Sequence, residues 1–451
     1  MEQSRLSRHE LPRKLGWLDA TMIVIGIVIG SGIFLLPNLI AQNLHSSGAI
    51  LSAWIISGLL SYFGALAYAE LGAMMPATGG QYVYLREAYG PACAFLCGWT
   101  FMLVLLSGGI AFLAVSFSIY AAQFVPLTPV TSKLLSLALI AMLSAVNYVG
   151  VREGAIVQVT FTFLKVAGLL LLIGGAFFCH VAVLPAPPVG ASAFSFPHLG
   201  TAMIACLMAY NGWTYISFVA GEVKQPARNL PRSLTLGMLA VMALYVLANV
   251  AYLKVMPIAQ IASTARVGAA LAERTLGSVG ATVVSVTVLI SIVGAINGCV
   301  LTGARIPFAQ AQDGLFFRRF ARIHPRFQTP AFAIVLQGMW SAVLVLSGSY
   351  ENLYSYSIVA AWIFYALSVG AVFVLRRRQP DLARPYRMWG YPYTLCAFML
   401  VSVWFVANAF VTQPGPSFAA LGIVGLGVPV YFLWRKPAPQ PGATVKAGIE
   451  P

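Results

Sequence analysis

The stretch IVIGIVIGSGIFLLPN, from Ile23 to Asn38, is apolar enough for a transmembrane helix, yet it carries glycines at Gly26, Gly30 and Gly32. A glycine inside a helix costs about 1 kcal/mol relative to alanine. Because two of these glycines flank Ser31, the stretch predicts a membrane helix whose backbone leaves helical geometry near its middle.

The composition indicates a polytopic membrane protein. The 451 residues are 59% hydrophobic and 9% charged, whereas a soluble domain carries about 25% charged residues. The net charge of +15 does not indicate a nucleic-acid partner, because the basic residues lie in short loops between apolar stretches. Residues 1–16 are polar and basic and the first apolar run is long enough to span, so we expect no cleaved signal peptide.

Twelve apolar stretches are long enough to cross a hydrocarbon core of about 30 Å. They lie at 17–40, 48–75, 92–125, 132–149, 155–178, 198–222, 233–256, 277–303, 330–347, 353–375, 391–411 and 417–434. Between them, Gln81 to Tyr89 is amphipathic and predicts an interfacial or re-entrant helix. The connection from Pro257 to Leu276 contains VGAALAERTL, which predicts a short outer helix.

The distribution of lysine and arginine predicts the orientation. With the N-terminus in the cytoplasm, 22 of the 27 basic residues fall inside, four fall outside, and Lys165 lies within a span. We therefore expect an inner- or plasma-membrane protein with cytoplasmic tails at 1–16 and 435–451. The PAPQPG segment of the second tail predicts disorder.

The six cysteines predict neither a disulfide framework nor a metal site. They fall mostly in apolar runs, without a CxxC pair or zinc-ligand spacing, so we interpret them as small core residues. The five histidines lie in loops or at span ends. We expect no metal and no cofactor.

Lys165, in VTFTFLKVAGLLLL, lies near the centre of the fifth span, where an ammonium costs at least about 2.5 kcal/mol. The apolar residues on both sides place it too deep for the side chain to reach an interface easily. We therefore expect an ammonium that faces a polar interior, where it donates to exposed backbone carbonyls or exchanges a proton.

A second interruption, Asn211-Gly212, lies in the middle of the sixth span. Each interruption alone could be a tight packing site between helices. Their occurrence in the first helix of each of two five-helix halves instead points to the substrate site of an inverted-repeat transporter. Unwinding exposes N–H groups that suit a carboxylate and carbonyls that suit an ammonium. The pattern predicts a carrier for α-amino acids.

The chain also resembles the amino acid–polyamine–organocation superfamily, and within it the L-type amino acid transporter branch. The similar stretches run in order through nearly the whole chain. They are IGSGIF (29–34), GALAYAELG (64–72), GGQYVYLREAYG (79–90), FTFLKVAGLLL (161–171), AYNGWTYISFVAGEV (209–223), KQPARNLPRS (224–233), GAINGCVLTGARIPFAQAQDG (294–314) and LRRRQPDLARPYR (375–387).

This resemblance implies an all-α LeuT-type fold, with inverted repeats at 17–178 and 198–375 and two peripheral helices at 391–434. It implies that backbone N–H groups near Gly30, Ser31 and Gly32 bind the substrate carboxylate. Lys165 resembles a substitute for the sodium ion of related carriers, which would tether the broken first helix. It also implies that the substrate amine is bound by carbonyls around Val28 in the first span and around Met208, Ala209 and Asn211 in the sixth. Ile29 and Thr214 complete the implied substrate-binding residues.

Three departures from the family pattern qualify these expectations. Met208 occupies a position that is often an aromatic gate, so either the substrate would be occluded less tightly or a neighbour such as Trp362 would assist closure. Thr214 replaces a larger polar residue that could bond the substrate or Lys165. The loop from Val125 to Lys133 has no cysteine for a disulfide to a heavy chain, so we expect a carrier without that subunit.

Glu70 and Glu222 lie toward span ends. We expect them either to form cytoplasmic ion pairs or hydrogen bonds that gate the inner mouth or to lie at the surface.

Our leading interpretation is a sodium-independent exchanger of neutral amino acids, with the small residues Ser107, Gly108 and Gly109 suggesting small or medium side chains. Proton-coupled symport and polyamine antiport are alternatives within transport. The short tails disfavour a membrane sensor, and the lack of clustered acids, bases or metal ligands disfavours an enzyme.

Overall fold

A computed structural model describes residues 11–178, 196–348 and 350–434. Within these residues the chain is helical, without β-strands apart from one isolated bridge between Leu15 and Val223. The α-helices are α1 Trp17–Val28, α2 Gly32–Asn43, α3 Ser47–Met74, α4 Gln81–Tyr89, α5 Pro91–Thr100, α6 Ser107–Ala121, α7 Pro129–Val149, α8 Val151–Phe178, α9 Phe196–Ala209, α10 Pro226–Val255, α11 Ile258–Ser263, α12 Val267–Leu276, α13 Ser278–Gly303, α14 Arg305–Gln312, α15 Ala331–Ser347, α16 Tyr350–Arg378, α17 Tyr393–Thr412 and α18 Pro414–Trp434. A π-helical turn, Phe101–Leu106, joins α5 to α6, and 3₁₀-helices cover Trp213–Glu222 and Arg318–Ala321.

The described helices confirm an all-α polytopic membrane protein. Ten helical segments are long and apolar enough to span a membrane, and the bent pair α1 and α2 adds an eleventh. The ninth predicted span corresponds to α15, which has 17 residues and rises about 26 Å, slightly less than a typical hydrocarbon core. The count of twelve spans therefore stays a prediction.

The predicted break in the first span is present. α1 ends at Val28 and α2 begins at Gly32, with a bend of 43° between them. Ile29 has extended dihedral angles, and the Gly30 N–H donates to the Val28 carbonyl at 2.9 Å instead of continuing the helical pattern.

The sixth span is also broken where Asn211-Gly212 predicts it. α9 ends at Ala209, and the chain resumes as the 3₁₀-helix Trp213–Glu222. Gly212 has φ +117°, a conformation that favours glycine. A Cβ there would also collide with the side chain of Ile27 in α1. The two breaks therefore touch each other, and glycine is what permits the contact.

The first described residues pack against the bundle through two leucines. The Leu11 and Leu15 side chains are buried. The Leu15 N–H donates to the Glu222 carbonyl at 2.9 Å, and the Lys224 N–H donates to the Leu15 carbonyl at 2.8 Å. Part of the predicted 1–16 tail thus covers the end of the sixth span. We call this end of the bundle, at Leu15, Glu222 and Arg305, the basic end.

The two predicted extramembrane helices are present as α4 and α12, the second with the boundaries of VGAALAERTL. Sequence reasoning missed α11, which precedes α12. The Asn38 side-chain amide on α2 donates to the carbonyls of Ile261 and Ala262 at 3.1 and 2.8 Å, so this connection is fastened to the second half of the first span.

The cysteines agree with the core prediction in part. Cys97, Cys206 and Cys299 are buried, and the five described cysteines are free thiols. The core prediction is wrong for Cys396, which is exposed on α17 because this peripheral helix is covered on few sides. Cys179, like the predicted disorder of residues 435–451, lies outside the described residues.

Candidate functional site

A cavity of about 260 Å³ lies between the two helix breaks. Small-molecule sites commonly measure about 300–1,000 Å³, so this volume suits a small ligand. The lining residues come from the first, third, sixth and eighth spans. They are Ile27, Val28, Gly30, Ser31, Gly32, Leu35, Leu36, Leu105, Gly109, Phe112, Leu113, Met208, Ala209, Asn211, Gly212, Tyr215, Ala295 and Cys299.

The start of α2 offers uncommitted N–H groups to this cavity. The Gly30 N–H is used by the Val28 carbonyl, and the Phe34 N–H donates to the Ser31 carbonyl. Between them, the N–H groups of Ser31 and Gly32, which both line the cavity, make no hydrogen bond to any described residue. Ile33 has no such bond either, but it is fully buried and does not line the cavity. Free N–H groups at the positive end of a helix dipole form a site for an anion such as a carboxylate.

Tyr245 joins the two breaks on the carbonyl side. Its hydroxyl, on α10, lies 2.9 Å from the Val28 carbonyl oxygen and 3.2 Å from that of Ala209. It is therefore a donor shared by the last residues of α1 and α9. Sequence reasoning missed this residue. A tyrosine deep in an apolar span nevertheless indicates a polar contact in the interior, because a buried hydroxyl needs a hydrogen-bond partner.

Lys165 is buried, and its ammonium contacts three carbonyl oxygens. Nζ donates to Gly26 at 2.8 Å, to Ile29 at 2.9 Å and to Ser291 at 3.0 Å. Two of these carbonyls belong to the broken first span, and the Ser291 hydroxyl also donates to Ile29 at 3.0 Å. Lys165 thus occupies the polar interior that its position predicts, while its coupling role stays a prediction.

The helix that carries Lys165 presses closely against α1. Gln158 and Thr162 lie on the same face, and the Thr162 hydroxyl donates to the Met22 carbonyl at 3.1 Å. A Cβ at Gly26 would collide with both side chains. Gly26 is thus a packing glycine, whereas a Cβ at Gly30 would meet no atom within 4 Å.

Met208, Ala209 and Asn211 line the cavity, and their part in substrate binding stays a prediction. The Tyr365 hydroxyl, on α16, donates to the Asn211 side-chain oxygen at 3.0 Å and so fixes the orientation of this amide. Tyr365 is a second residue that sequence reasoning missed. The cavity also has two aromatic side chains, Phe112 and Tyr215, neither of which we predicted.

Besides Lys165, three predicted residues do not line the cavity. Ile29 is buried and contributes its carbonyl to Lys165 and Ser291. Thr214 is buried with its hydroxyl unpaired among the described residues. The Trp362 ring stacks on Phe405 at 4.4 Å in the aromatic contact between α16 and α17. Substrate contact by Thr214 and closure by Trp362 remain predictions.

The cavity wall is uncharged where the structure describes it. Ser31, Asn211, Tyr215 and Cys299 supply its polar side chains, and the other lining residues are glycine or apolar. The described residues also contain no cluster of three or more His, Cys, Asp or Glu side chains that could hold a metal ion. The arrangement can bind both ends of a zwitterion through backbone groups and leaves an apolar space for its side chain.

The basic end is closed below this cavity by buried ion pairs. Arg305 forms two hydrogen bonds with Glu222, at 2.7 and 3.1 Å, and both side chains are fully buried. Glu70 is also buried, where it accepts from Arg376 at 2.9 and 2.7 Å and from the Met388 N–H at 2.7 Å. The prediction of ion pairs is thus confirmed for both carboxylates, and the alternative of surface positions is wrong.

A further ion pair links α4 to the end of α14. Arg86 and the Tyr82 hydroxyl both contact the Asp313 carboxylate. Burial alone would lower the pKa of Arg86, but the bond to Asp313 and its charge raise that pKa above its ordinary value.

On the other side of the breaks, the cavity extends along α2 and α6 toward Leu36 and Leu113, away from the basic end.

Comparison with known proteins gives one consistent family. The family model described as "Amino acid permease" matches residues 15–428. The serine/threonine exchanger SteT of Bacillus subtilis (strain 168) is 31% identical over 430 residues, which cover 94% of this chain and 98% of the relative. The human b(0,+)-type amino acid transporter 1 is 32% identical, with 90% and 84% covered. The rabbit (Oryctolagus cuniculus) large neutral amino acids transporter small subunit 2 is 32% identical, with 94% and 80% covered.

Proposed function

Since this chain belongs to the amino acid permease family, we propose that it is a secondary transporter that exchanges neutral α-amino acids across the cell membrane without sodium. The family consists of transporters and not enzymes. One observation carries the proposal: the breaks of the first and sixth spans meet at an uncharged cavity that receives uncommitted backbone N–H groups.

The carboxylate of the substrate binds the N–H groups of Ser31 and Gly32. These two N–H donors and the helix dipole stabilise a negative charge without a basic side chain. The α-amino group binds on the other side of the break, at the second lone pair of the Ala209 carbonyl, whose first partner is Tyr245. The Val28 carbonyl already accepts from both Tyr245 and the Gly30 N–H. The Asn211 side chain lies beside this amine position.

The uncharged wall favours neutral substrate side chains. A cationic or anionic side chain would lose its hydration without gaining a partner of opposite charge, which costs several kcal/mol. The same reasoning disfavours polyamines, because each additional ammonium would need an acidic residue. The names of the relatives include exchange of serine and threonine and transport of large neutral amino acids, which supports neutral side chains of more than one size.

Lys165 supports sodium-independent exchange. Its three N–H donors face three carbonyl oxygens at a position where a cation stabilises the break. Loss of a proton would leave one carbonyl without a donor and weaken the other bonds, because charged donors form stronger hydrogen bonds. These three hydrogen bonds favour exchange over proton symport, in which this lysine would have to release its proton.

The transport cycle requires the two closed ends to open in turn. In the described state the ion pairs Glu222–Arg305 and Glu70–Arg376 close the basic end. The surplus of arginine there supports a cytoplasmic position for this end and for both termini. Breaking these pairs while the two half-helices pivot would release the substrate to the cytoplasm.

We further propose that the chain works without a heavy-chain subunit. One relative is named a small subunit, which refers to an assembly of that protein. The loop from 125 to 133 of this chain has no cysteine for a disulfide to such a partner. Exchange by the purified single chain would support this proposal, and activity that requires an added subunit would contradict it.

Counterflow in proteoliposomes tests the function. The purified chain is preloaded in turn with each of the twenty amino acids or a polyamine, with and without sodium and a pH gradient. We expect exchange of neutral amino acids that neither sodium nor the gradient changes. Uptake that depends on sodium would contradict the role of Lys165, uptake that follows the gradient would favour symport, and preference for polyamines would contradict the carboxylate site.

A further inference from the structure

A groove of about 790 Å³ lies at the basic end, outside the transport pathway. Three elements form it: the first residue of α1, the first three turns of α10 and the loop after α16. The residues used below are Trp17, Arg228, Arg232, Leu236 and Tyr386.

The α10 side of this groove changes from cationic to apolar along the helix. Arg228, Arg232 and Leu236 follow one another at four-residue spacing, so they lie on one face over about 12 Å of helix. Leu236 is 48% exposed and Trp17 is 52% exposed, both on membrane-spanning helices. Exposed tryptophan near the end of a spanning helix is typical of the membrane–water interface. The groove therefore runs from the aqueous end of the bundle into the lipid.

The charge of the groove is not neutralised by the protein. Both arginines are exposed, and neither forms an ion pair with a described residue. No carboxylate lines the groove within the described ranges. By contrast, the arginines that close the basic end at 305 and 376 are paired with glutamates. Burial raises the pKa of Tyr386 to about 12, so its phenol is a neutral hydrogen-bond donor beside the two cations at physiological pH.

We propose that this groove binds the headgroup of an anionic phospholipid from the leaflet at the basic end. The Arg228 and Arg232 guanidinium groups bind the phosphate, Tyr386 donates to the headgroup, and Trp17 and Leu236 contact the glycerol and the first acyl carbons. Along its length an anionic phospholipid complements the groove, because its anionic phosphate faces the two arginines and its apolar chains face Trp17 and Leu236. A free phosphate would leave the apolar half empty.

Bound lipid would also stabilise the basic end. The Ser233 hydroxyl on α10 donates to the Trp17 carbonyl at 3.2 Å, so the groove spans the joint between α1 and α10. α1 is the half-helix that has to pivot when this end opens, and a lipid across the joint holds it against α10.

The test is a titration of the detergent-purified full chain with phosphatidylglycerol, followed by native mass spectrometry. The double variant Arg228→Gln/Arg232→Gln should bind phosphatidylglycerol about tenfold or more weakly, because each arginine near the surface contributes about 1 kcal/mol toward an anionic lipid. The matched control is Arg318→Gln/Arg319→Gln, which removes the same charge from two exposed arginines in a separate 3₁₀-helix. The double variant Arg228→Lys/Arg232→Lys should retain most of the affinity.

Three results would overturn the proposal. Unchanged binding by the double glutamine variant would show that the groove is not the site. An equal loss in the control would reduce the effect to general surface charge. Competition by inorganic phosphate, or equal binding of phosphatidylcholine, would contradict an anionic lipid ligand. None of these results bears on counterflow, so the transport proposal can stand or fall separately.

Discussion

Lys165 shows how one side chain can stabilise a helix that its own sequence breaks. The break leaves the carbonyls of Gly26 and Ile29 without their helical donors, and a single ammonium contacts both. The cost of burying the charge is offset by charge-assisted hydrogen bonds, which contribute about 1.5–3 kcal/mol each. The cation is therefore buried here because the break leaves two carbonyls that need a donor.

Replacement of Lys165 by methionine should lower the exchange rate about a hundredfold or more, while the protein still inserts and purifies. Two charge-assisted bonds to the first span are lost, and a factor of ten corresponds to about 1.4 kcal/mol. Counterflow in proteoliposomes measures the rate. Lys133→Met, which removes an exposed lysine at the start of α7, is the control. Wild-type exchange by the Lys165→Met variant would reduce this lysine to a structural residue.

Gly26 and Gly30 should respond differently to the same methyl group. At Gly26 the methyl collides with Gln158 and Thr162, and at Gly30 it meets open space at the cavity wall. Gly26→Ala should lower thermal stability by about 1–3 kcal/mol, as overpacking does. Gly30→Ala should keep wild-type stability but raise the substrate KM. Gly422→Ala, in the open on α18, is the control. Equal losses of stability at 26 and 30 would contradict the distinction.

At the scale of elements, the two broken spans behave as one unit. Ile27 of α1 packs on Gly212 of the sixth span, and the Tyr245 hydroxyl contacts the last carbonyl of both α1 and α9. A change in one half-helix therefore reaches the other directly. Substrate that binds across the break would contact both half-helices at once.

Replacement of Tyr245 by phenylalanine tests this connection. The variant keeps the ring but loses a hydrogen bond worth about 1 kcal/mol, so we expect exchange about five- to tenfold slower with little change in the melting temperature. Tyr89→Phe, which removes a hydroxyl bonded to Leu367 at 2.9 Å away from the breaks, should exchange at the wild-type rate. A slowing of similar size in both variants would argue against a specific role for Tyr245.

The Glu222–Arg305 pair closes the basic end. Two variants distinguish the loss of the whole pair from the cost of leaving one of its charges buried alone. Glu222→Gln leaves a buried arginine uncompensated and should destabilise the protein by about 3–5 kcal/mol, whereas Glu222→Gln/Arg305→Met should recover much of that loss. Thermal unfolding measures both, with the exposed Glu273→Gln as control. A double variant less stable than the single one would contradict the uncompensated-charge explanation.

At the scale of the whole molecule, the sequence predicts the parts of the site that have local signals. Gly30-Ser31-Gly32, Asn211-Gly212 and Lys165 are unusual in apolar spans wherever they pack, so they are visible without a fold. For Tyr245 and Tyr365 the sequence shows a hydroxyl that needs a partner but not which partner it has, because that partner is fixed only when the helices pack. The Glu222–Arg305 pair joins residues 83 positions apart, and the exposure of Cys396 depends on which helices lie at the edge of the bundle. These features depend on tertiary packing rather than on local sequence pattern.

The described residues thus combine a basic end that two ion pairs close with a cavity at the two helix breaks. In the proposed transport cycle, this is the state before the basic end opens. Which state is more populated depends on the substrate, because only a ligand with different affinities for two states shifts their equilibrium.

The central claim is that the break of the first span binds the α-carboxylate of a zwitterion. The most direct measurement is competition in counterflow, in which a labelled neutral amino acid is exchanged against the same amino acid, its carboxamide and its N-acetyl derivative. We expect only the free amino acid to compete, because the carboxamide lacks the charge for the N–H groups of Ser31 and Gly32 and the N-acetyl derivative lacks the ammonium. Competition by the carboxamide as strong as that of the free acid would contradict the claim.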